Sequence, residues 1–197
     1  MTRGKSSARF LALRRWEDGS VSPLDSFVAI RASPRRLVAI FRSRFHQLTP
    51  AGTHHDDDLY LGDVVELFVA PDDADRRIYY EIEVNPAGRI FDARVDSPNL
   101  SRNGMRVDRS WNPGGLLVRS RIHYARGKAE ASGFWLVRMS LDLSEIAARA
   151  DRPLAVGAFR IDRRSNGSPL FLALSPGLGG PADFHRPELF VGLRPDP

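Results

Sequence analysis

Between Leu59 and Asp96 the chain reads LYLGDVVELFVAPDDADRRIYYEIEVNPAGRIFDARVD, and acidic side chains fall in it where a strand should bury carbon. In VVELFVA every position but Glu66 is apolar, and the two-residue period of a strand sets Glu66 on one face with Val64 and Phe68. A carboxylate there needs a hydrogen-bonding partner or a ligand, because burial of an unpaired charge is heavily penalised. The next run, IYYEIEV, aligns Tyr79, Glu81 and Glu83 on one face, with Asn85 following in the same phase. The strand rise puts the Cα atoms of Glu81 and Glu83 roughly 6.5 to 7 Å apart. A glycosidase-like acid and base pair could be drawn from them, but an EIE strand is more often hydrated or paired with arginine, so hydrolysis is not the expectation.

Other clusters are weaker. His54, His55, Asp56, Asp57 and Asp58 offer mixed nitrogen and oxygen donors, but consecutive residues cannot all turn to one ion, and a solvated loop is expected. Asp72, Asp73 and Asp75 in PDDAD are oxygen-rich enough to suggest calcium, yet lack the glycine and distal glutamate of an EF-hand, so a plain turn accounts for them. His123 and His185 have no serine or cysteine partner motif. There is no cysteine, hence neither disulfide nor thiolate metal site.

The elements that must position these residues are strands. SFVAIRA, RLVAIFRSRF, VVELFVA, IYYEIEV, IFDARVD, LLVRSRIHY, FWLVRMSLDL, AVGAFRIDRR and LFLAL are separated by Gly, Pro, Asn and Asp, an all-β rhythm. One helical turn is expected at SEIAARA, capped by Ser144 and stopped before Pro153. Alternation groups Trp135, Val137, Met139 and Leu141, then Tyr80, Ile82 and Val84, and then Phe91, Ala93 and Val95 as the core between two sheets. Glu81, Glu83 and Asn85, Asp92 and Arg94, and Arg160 and Asp162 are assigned to outward polar faces.

A chain of 197 residues with 42% hydrophobic content fits one domain, residues 1–197, with 1–25 expected as an irregular N-terminal extension. The net charge of +5 is local, with ten basic residues against three acids in the first fifty, and no nucleic-acid motif accompanies it, so no nucleic-acid partner is expected. No membrane association is expected either. FLAL is too short for a secretory apolar region, which implies a cytoplasmic protein unless the true start lies upstream.

The block from Leu59 to Asp96, the strand GFWLVRMSLDLSEI at Gly133 to Ile146, AVGAFRIDRR and the closing FHRPELF together resemble family 9 carbohydrate-binding modules, a group related in fold to DOMON domains. The resemblance spans about Ser26 to Leu193 and departs from the family at Arg138, where an acid is usual, and at Asp142, where proline is usual. It implies an antiparallel two-sheet β-sandwich of jelly-roll or immunoglobulin-like type that binds a sugar or polysaccharide end without catalysis. Tyr60, six residues before Glu66, falls where the family has a stacking tryptophan, with Glu66 as the hydroxyl-binding acid. Asn85 falls at a hydroxyl-binding amide, with Glu83 beside it. The second clamping tryptophan is replaced by Phe184 and His185, and Trp111 is either a substitute or a cover for the core edge. Arg160 is added as a bridge between a hydroxyl and an acid.

The resulting expectation is a saccharide site of Tyr60, Glu66, Glu83, Asn85, Arg160 and His185, with no required cofactor. Haem, which the DOMON kinship raises, would need a histidine beside Met105 or Met139, and none is evident. The alternative is a structural or protein-interaction sandwich that has kept the fold and lost the sugar slot.

Overall fold

The expected strands form, and four short ones join them. The computed structural model describes residues 9–22, 24–125, 132–163 and 168–196. In chain order the strands are β1 (Leu11–Ala12), β2 (Arg14–Arg15), β3 (Ser26–Ala32), β4 (Arg36–Phe45), β5 (Val64–Ala70), β6 (Ile78–Val84), β7 (Ile90–Asp96), β8 (Arg106–Asp108), β9 (Leu116–Tyr124), β10 (Gly133–Asp142), β11 (Leu154–Asp162), β12 (Leu170–Ala173) and β13 (Val191–Leu193). They make an antiparallel sandwich. One sheet runs β1-β3-β4-β10-β9 and the other β2-β12-β11-β5-β6-β7-β8, with β13 also pairing with β11. No helix among the described residues is long and apolar enough to cross a membrane.

Residues 1–8 and residue 23 lie outside the described part, and within the described part of the expected N-terminal extension two short strands form. Leu11–Ala12 pairs with β3 in one sheet and Arg14–Arg15 with β12 in the other, so the chain passes between sheets at Leu13, which is buried. The expected helical turn is a single 3-10 turn, Leu143–Ile146. Its cap is Asp142 rather than Ser144, since the Asp142 side chain accepts from the Ser144 amide, and Ala147 ends it in the left-handed region at φ 51°.

Apolar side chains form two layers. Between the sheets lie Val28, Phe41, Trp135, Val137, Met139 and Leu141 from the smaller sheet against Val65, Leu67, Tyr80, Ile82, Val84, Val156 and Ala158 from the larger. Outside the larger sheet lies a second layer of Val64, Phe68, Tyr79, Phe91, Ala93, Val95, Phe159 and Ile161, covered by Trp16, Leu59, Phe184 and Phe190. This second layer reverses one expectation. Ile82 pairs with Asp92 and Tyr80 with Arg94, so in β7 it is Asp92 and Arg94 that share the inter-sheet side, while Phe91, Ala93 and Val95 face outward beneath the covering segments. The outward face of the larger sheet is therefore mostly apolar, with Glu66, Glu81 and Glu83 set among the apolar side chains.

Candidate binding pocket

The floor of the site follows from strand phase. Glu66 on β5 pairs directly with Glu83 on β6, and Phe68 pairs with Glu81, so the outward phase of the two strands brings three glutamates and one phenylalanine into a single patch. The three carboxylates offer oxygens lying within 4.8 Å of one another. Their residues are only 3%, 4% and 3% exposed for Glu66, Glu81 and Glu83.

The roof comes from the C-terminal segment. Arg76 donates from one guanidinium nitrogen to the carbonyls of Pro187, Glu188 and Phe190, at 3.0, 3.1 and 2.8 Å, and so ties that segment to the β5–β6 hairpin. Phe184 stacks on Phe159 at 4.3 Å between ring centroids and packs against Trp16 at 5.6 Å. His185 lies on Phe68 at 5.2 Å, with Nδ1 2.7 Å from the Tyr79 hydroxyl. Beside this roof a cavity of about 480 Å³ remains, lined by Tyr60, Glu66, Glu81, Glu83, Phe91, Phe171, Phe184 and His185, with Arg102, Arg109 and Arg163 also facing it. That volume suits a small ligand.

Four of the six expected ligand residues, Tyr60, Glu66, Glu83 and His185, meet in this cavity, and Glu81 joins them. Asn85 does not line it. Its amide nitrogen donates to the carbonyls of Ala51 and Gly52 and its oxygen accepts from the Arg89 amide, so it closes the β6–β7 hairpin, where Gly88 takes a φ of +78°. Arg160 also lies elsewhere. It shares its phase with Val156 and Ala158 on the inter-sheet side of β11, fully buried, and donates to Ser26 Oγ, the Arg44 carbonyl and Asp162 Oδ2. The outward phase of β11 belongs to Phe159 and Ile161.

Trp111 covers the core edge. It packs on Tyr80 at 4.6 Å and donates from its indole nitrogen to the Glu145 carbonyl. With Trp16 and Trp135 each 1% exposed or less, all three tryptophans serve packing. Asp72, Asp73 and Asp75 are bound by Arg152, Arg76 and Arg77 respectively. In the 54–58 loop, Asp57 accepts from the amides of Thr53 and His54, while His55 Nε2 lies 2.9 Å from Asp92 Oδ2. Met105 reaches the Tyr79 hydroxyl at 3.6 Å, and that hydroxyl stands between it and His185; Met139 is in the inter-sheet core.

Burial sets the protonation of the floor. Loss of hydration raises the carboxyls of Glu66 and Glu83 well above the usual range, and repulsion from the neighbouring acids adds to it. The same desolvation lifts Glu81 to about 7. His185, desolvated and facing Arg102, falls to about 4 and is neutral near pH 7. Its Nε2 lies 3.9 Å from Glu81, a polar approach rather than an ion pair. The arginines pair with other groups, Arg102 with Asp183 at 2.7 Å, Arg109 with Asp58 at 3.0 Å and Arg163 with the Tyr60 carbonyl at 2.9 Å. The site thus presents an acidic floor, aromatic walls and a half-exposed tyrosine at its edge.

Structural comparison identifies the architecture. A candidate carbohydrate-binding protein from Bacteroides uniformis superposes with a TM-score of 0.71 at 19% identity, over 96% of this chain and 86% of that one. A family 9 carbohydrate-binding module from Caldicellulosiruptor kristjanssonii, solved with glucose, matches with a TM-score of 0.60 at 11% identity, over 94% and 84% of the two chains. The chain has the family 9 module fold. The module solved with cellotriose matches equally, at 0.60 and 12% identity over 96% and 84%. No family model matches the sequence. No curated protein matches it either.

Proposed function

We propose that this family 9-like sandwich is a non-catalytic carbohydrate-binding domain that takes a mono- or short oligosaccharide into the pocket above Glu66, Glu81 and Glu83. The observation that carries this reading is the pocket itself: directional oxygen acceptors and aromatic walls share one cavity of about 480 Å³, in a fold common to modules solved with glucose and cellotriose. Sugar C–H faces suit the rings, and hydroxyls suit the carboxyl oxygens. Glycoside hydrolysis fits poorly, because its two carboxyls must flank the scissile bond, whereas these three rise from one wall on two adjacent strands.

Isothermal titration against glucose, cello-oligosaccharides and a wider sugar panel tests the proposal. Saturable binding that Glu66→Gln weakens and Asn85→Asp leaves in place is the expected result. Silence across the panel with a folded protein favours the second reading, a sandwich that has lost its slot and binds a protein. The specific observation behind that alternative is the packing role of every tryptophan.

A further inference from the structure

The acidic floor feels Arg102 and Arg109 only from a distance. Among the described residues no lysine or arginine reaches ion-pair distance of Glu66, Glu81 or Glu83, and the basic nitrogen that does approach, His185 Nε2, is 3.9 Å from Glu81. Glu83 supplies an independent sign. It is 3% exposed, its Oε2 is sealed from solvent, and that oxygen has no hydrogen-bond partner. A buried, ionisable oxygen without a donor is rare in folded proteins, and where one persists it commonly serves a ligand, an ion or a water. Glu83 also faces Glu66 directly across the strand pair, an arrangement of like charges that is destabilising unless something lies between them.

We propose that Glu66, Glu81 and Glu83 together hold one divalent, oxygen-preferring cation of the calcium or manganese class at the floor of the pocket. The donor set is carboxylate only, which excludes a thiolate or imidazole preference and suits hard ions. Oxygens within 4.8 Å of one another match the span across a calcium ion bonded at 2.3–2.6 Å. All three ligands project from strands of one sheet, so they cover one side of the ion, and its other positions open toward the cavity and Tyr60. A second cluster, His55 with Asp56 and Asp92, also holds a buried oxygen without a partner, Asp92 Oδ1, but it differs in that His55 is 46% exposed at its side chain and already pairs with the other Asp92 oxygen at 2.9 Å.

The cation site stands independently of the saccharide reading, because it is tested with the metal alone. The full chain, stripped with chelator at pH 8, is titrated with calcium and with manganese chloride by calorimetry and by thermal melting. One ion per chain, a melting midpoint raised by several degrees and at least a tenfold loss of affinity in Glu66→Gln and Glu83→Gln support the site. Asp72→Asn serves as a control on the distant acidic hairpin and should leave affinity unchanged. No saturable binding by a folded protein overturns the proposal. So does binding that survives both glutamine variants or disappears in Asp72→Asn. Melting of each variant without metal establishes that it is folded, and a variant that is not folded is replaced by Glu81→Gln.

Discussion

Glu66 and Glu83 stand opposite one another on adjacent antiparallel strands, each 3% exposed. Two acids in that position work against the fold, since each loses hydration, Glu66 raises the cost of ionising Glu83, and Glu81 raises it for both. Sheets gain from cross-strand pairs that attract, and this one holds a pair that repels. The sequence thus gives up stability at the place where a ligand would sit.

Replacing one member of the pair should therefore stabilise the metal-free protein. Glu83→Gln removes a buried ionisable group and introduces an amide able to donate to Glu66. We expect a gain of about 1–3 kcal/mol at pH 8, read by urea or thermal unfolding. A loss of stability would mean that the hydrogen bond between Glu83 and Glu81 outweighs the cost of the buried acid.

The pH dependence has a definite sign. Asp63 is raised to about 6, Glu81 to about 7, and Glu66 and Glu83 further, chiefly by burial. The folded protein holds these protons after the unfolded chain has released them. Their stabilising contribution is thus complete below the unfolded carboxyl range and is lost as pH climbs through the folded values. His185, lowered to about 4, acts in the opposite sense, gaining stability as pH rises toward its ordinary value. Charged neighbours of the floor include Arg102, Arg109 and Asp58, and Asp63 faces Arg160 and Asp162. Four acids outweigh one histidine, so the melting temperature in chelator should fall from about pH 5 to about pH 8. A profile rising over that interval would show that the acids are ionised and paired.

Arg160 should matter for folding rather than for ligand. Its guanidinium is fully buried and joins Ser26, the Arg44 carbonyl and Asp162, with Asp63 at 4.0 Å. Arg160→Met leaves Asp162 and Asp63 without their cation and should cost about 3–5 kcal/mol. Denaturant unfolding checks this, and a loss below about 1 kcal/mol would contradict it.

Tyr60 presents the reverse case. It is 44% exposed at the cavity edge, so Tyr60→Ala should leave unfolding nearly unchanged while removing about 1–3 kcal/mol of saccharide affinity, as expected of a stacking anchor. Calorimetry on the variant and its parent gives the comparison. Equal affinities would remove Tyr60 from the site.

The sandwich is legible in the sequence because its strands alternate and its turns carry Gly, Pro, Asn and Asp. Glu66 is legible as an exception within an apolar run, and Glu83 because β6 has one clean apolar face, Tyr80, Ile82 and Val84. β7 and β11 are not. The larger sheet is covered on both sides, so every residue of β11 is buried and phase no longer separates inside from outside. Arg160 can then be read onto the wrong face, and Phe91, Ala93 and Val95 onto the inter-sheet side, for the same reason. Arg102, Arg109 and Arg163 come from outside the named strands, where no periodicity signals a position. The family resemblance assigns Asn85 to the ligand, although an amide at a hairpin corner has backbone groups of its own to satisfy.

Gly177 lies so close to Trp16 that an added Cβ would sit 2.3 Å from the indole ring, and Trp16 in turn supports Phe184. The wall of the cavity is thus latched by residues from opposite ends of the described chain. Closing such a long loop is entropically costly and belongs late in folding. Occupancy of the pocket would therefore report on the whole chain: a protein whose sheets have formed but whose ends have not yet met would look native to circular dichroism and be blind to its ligand.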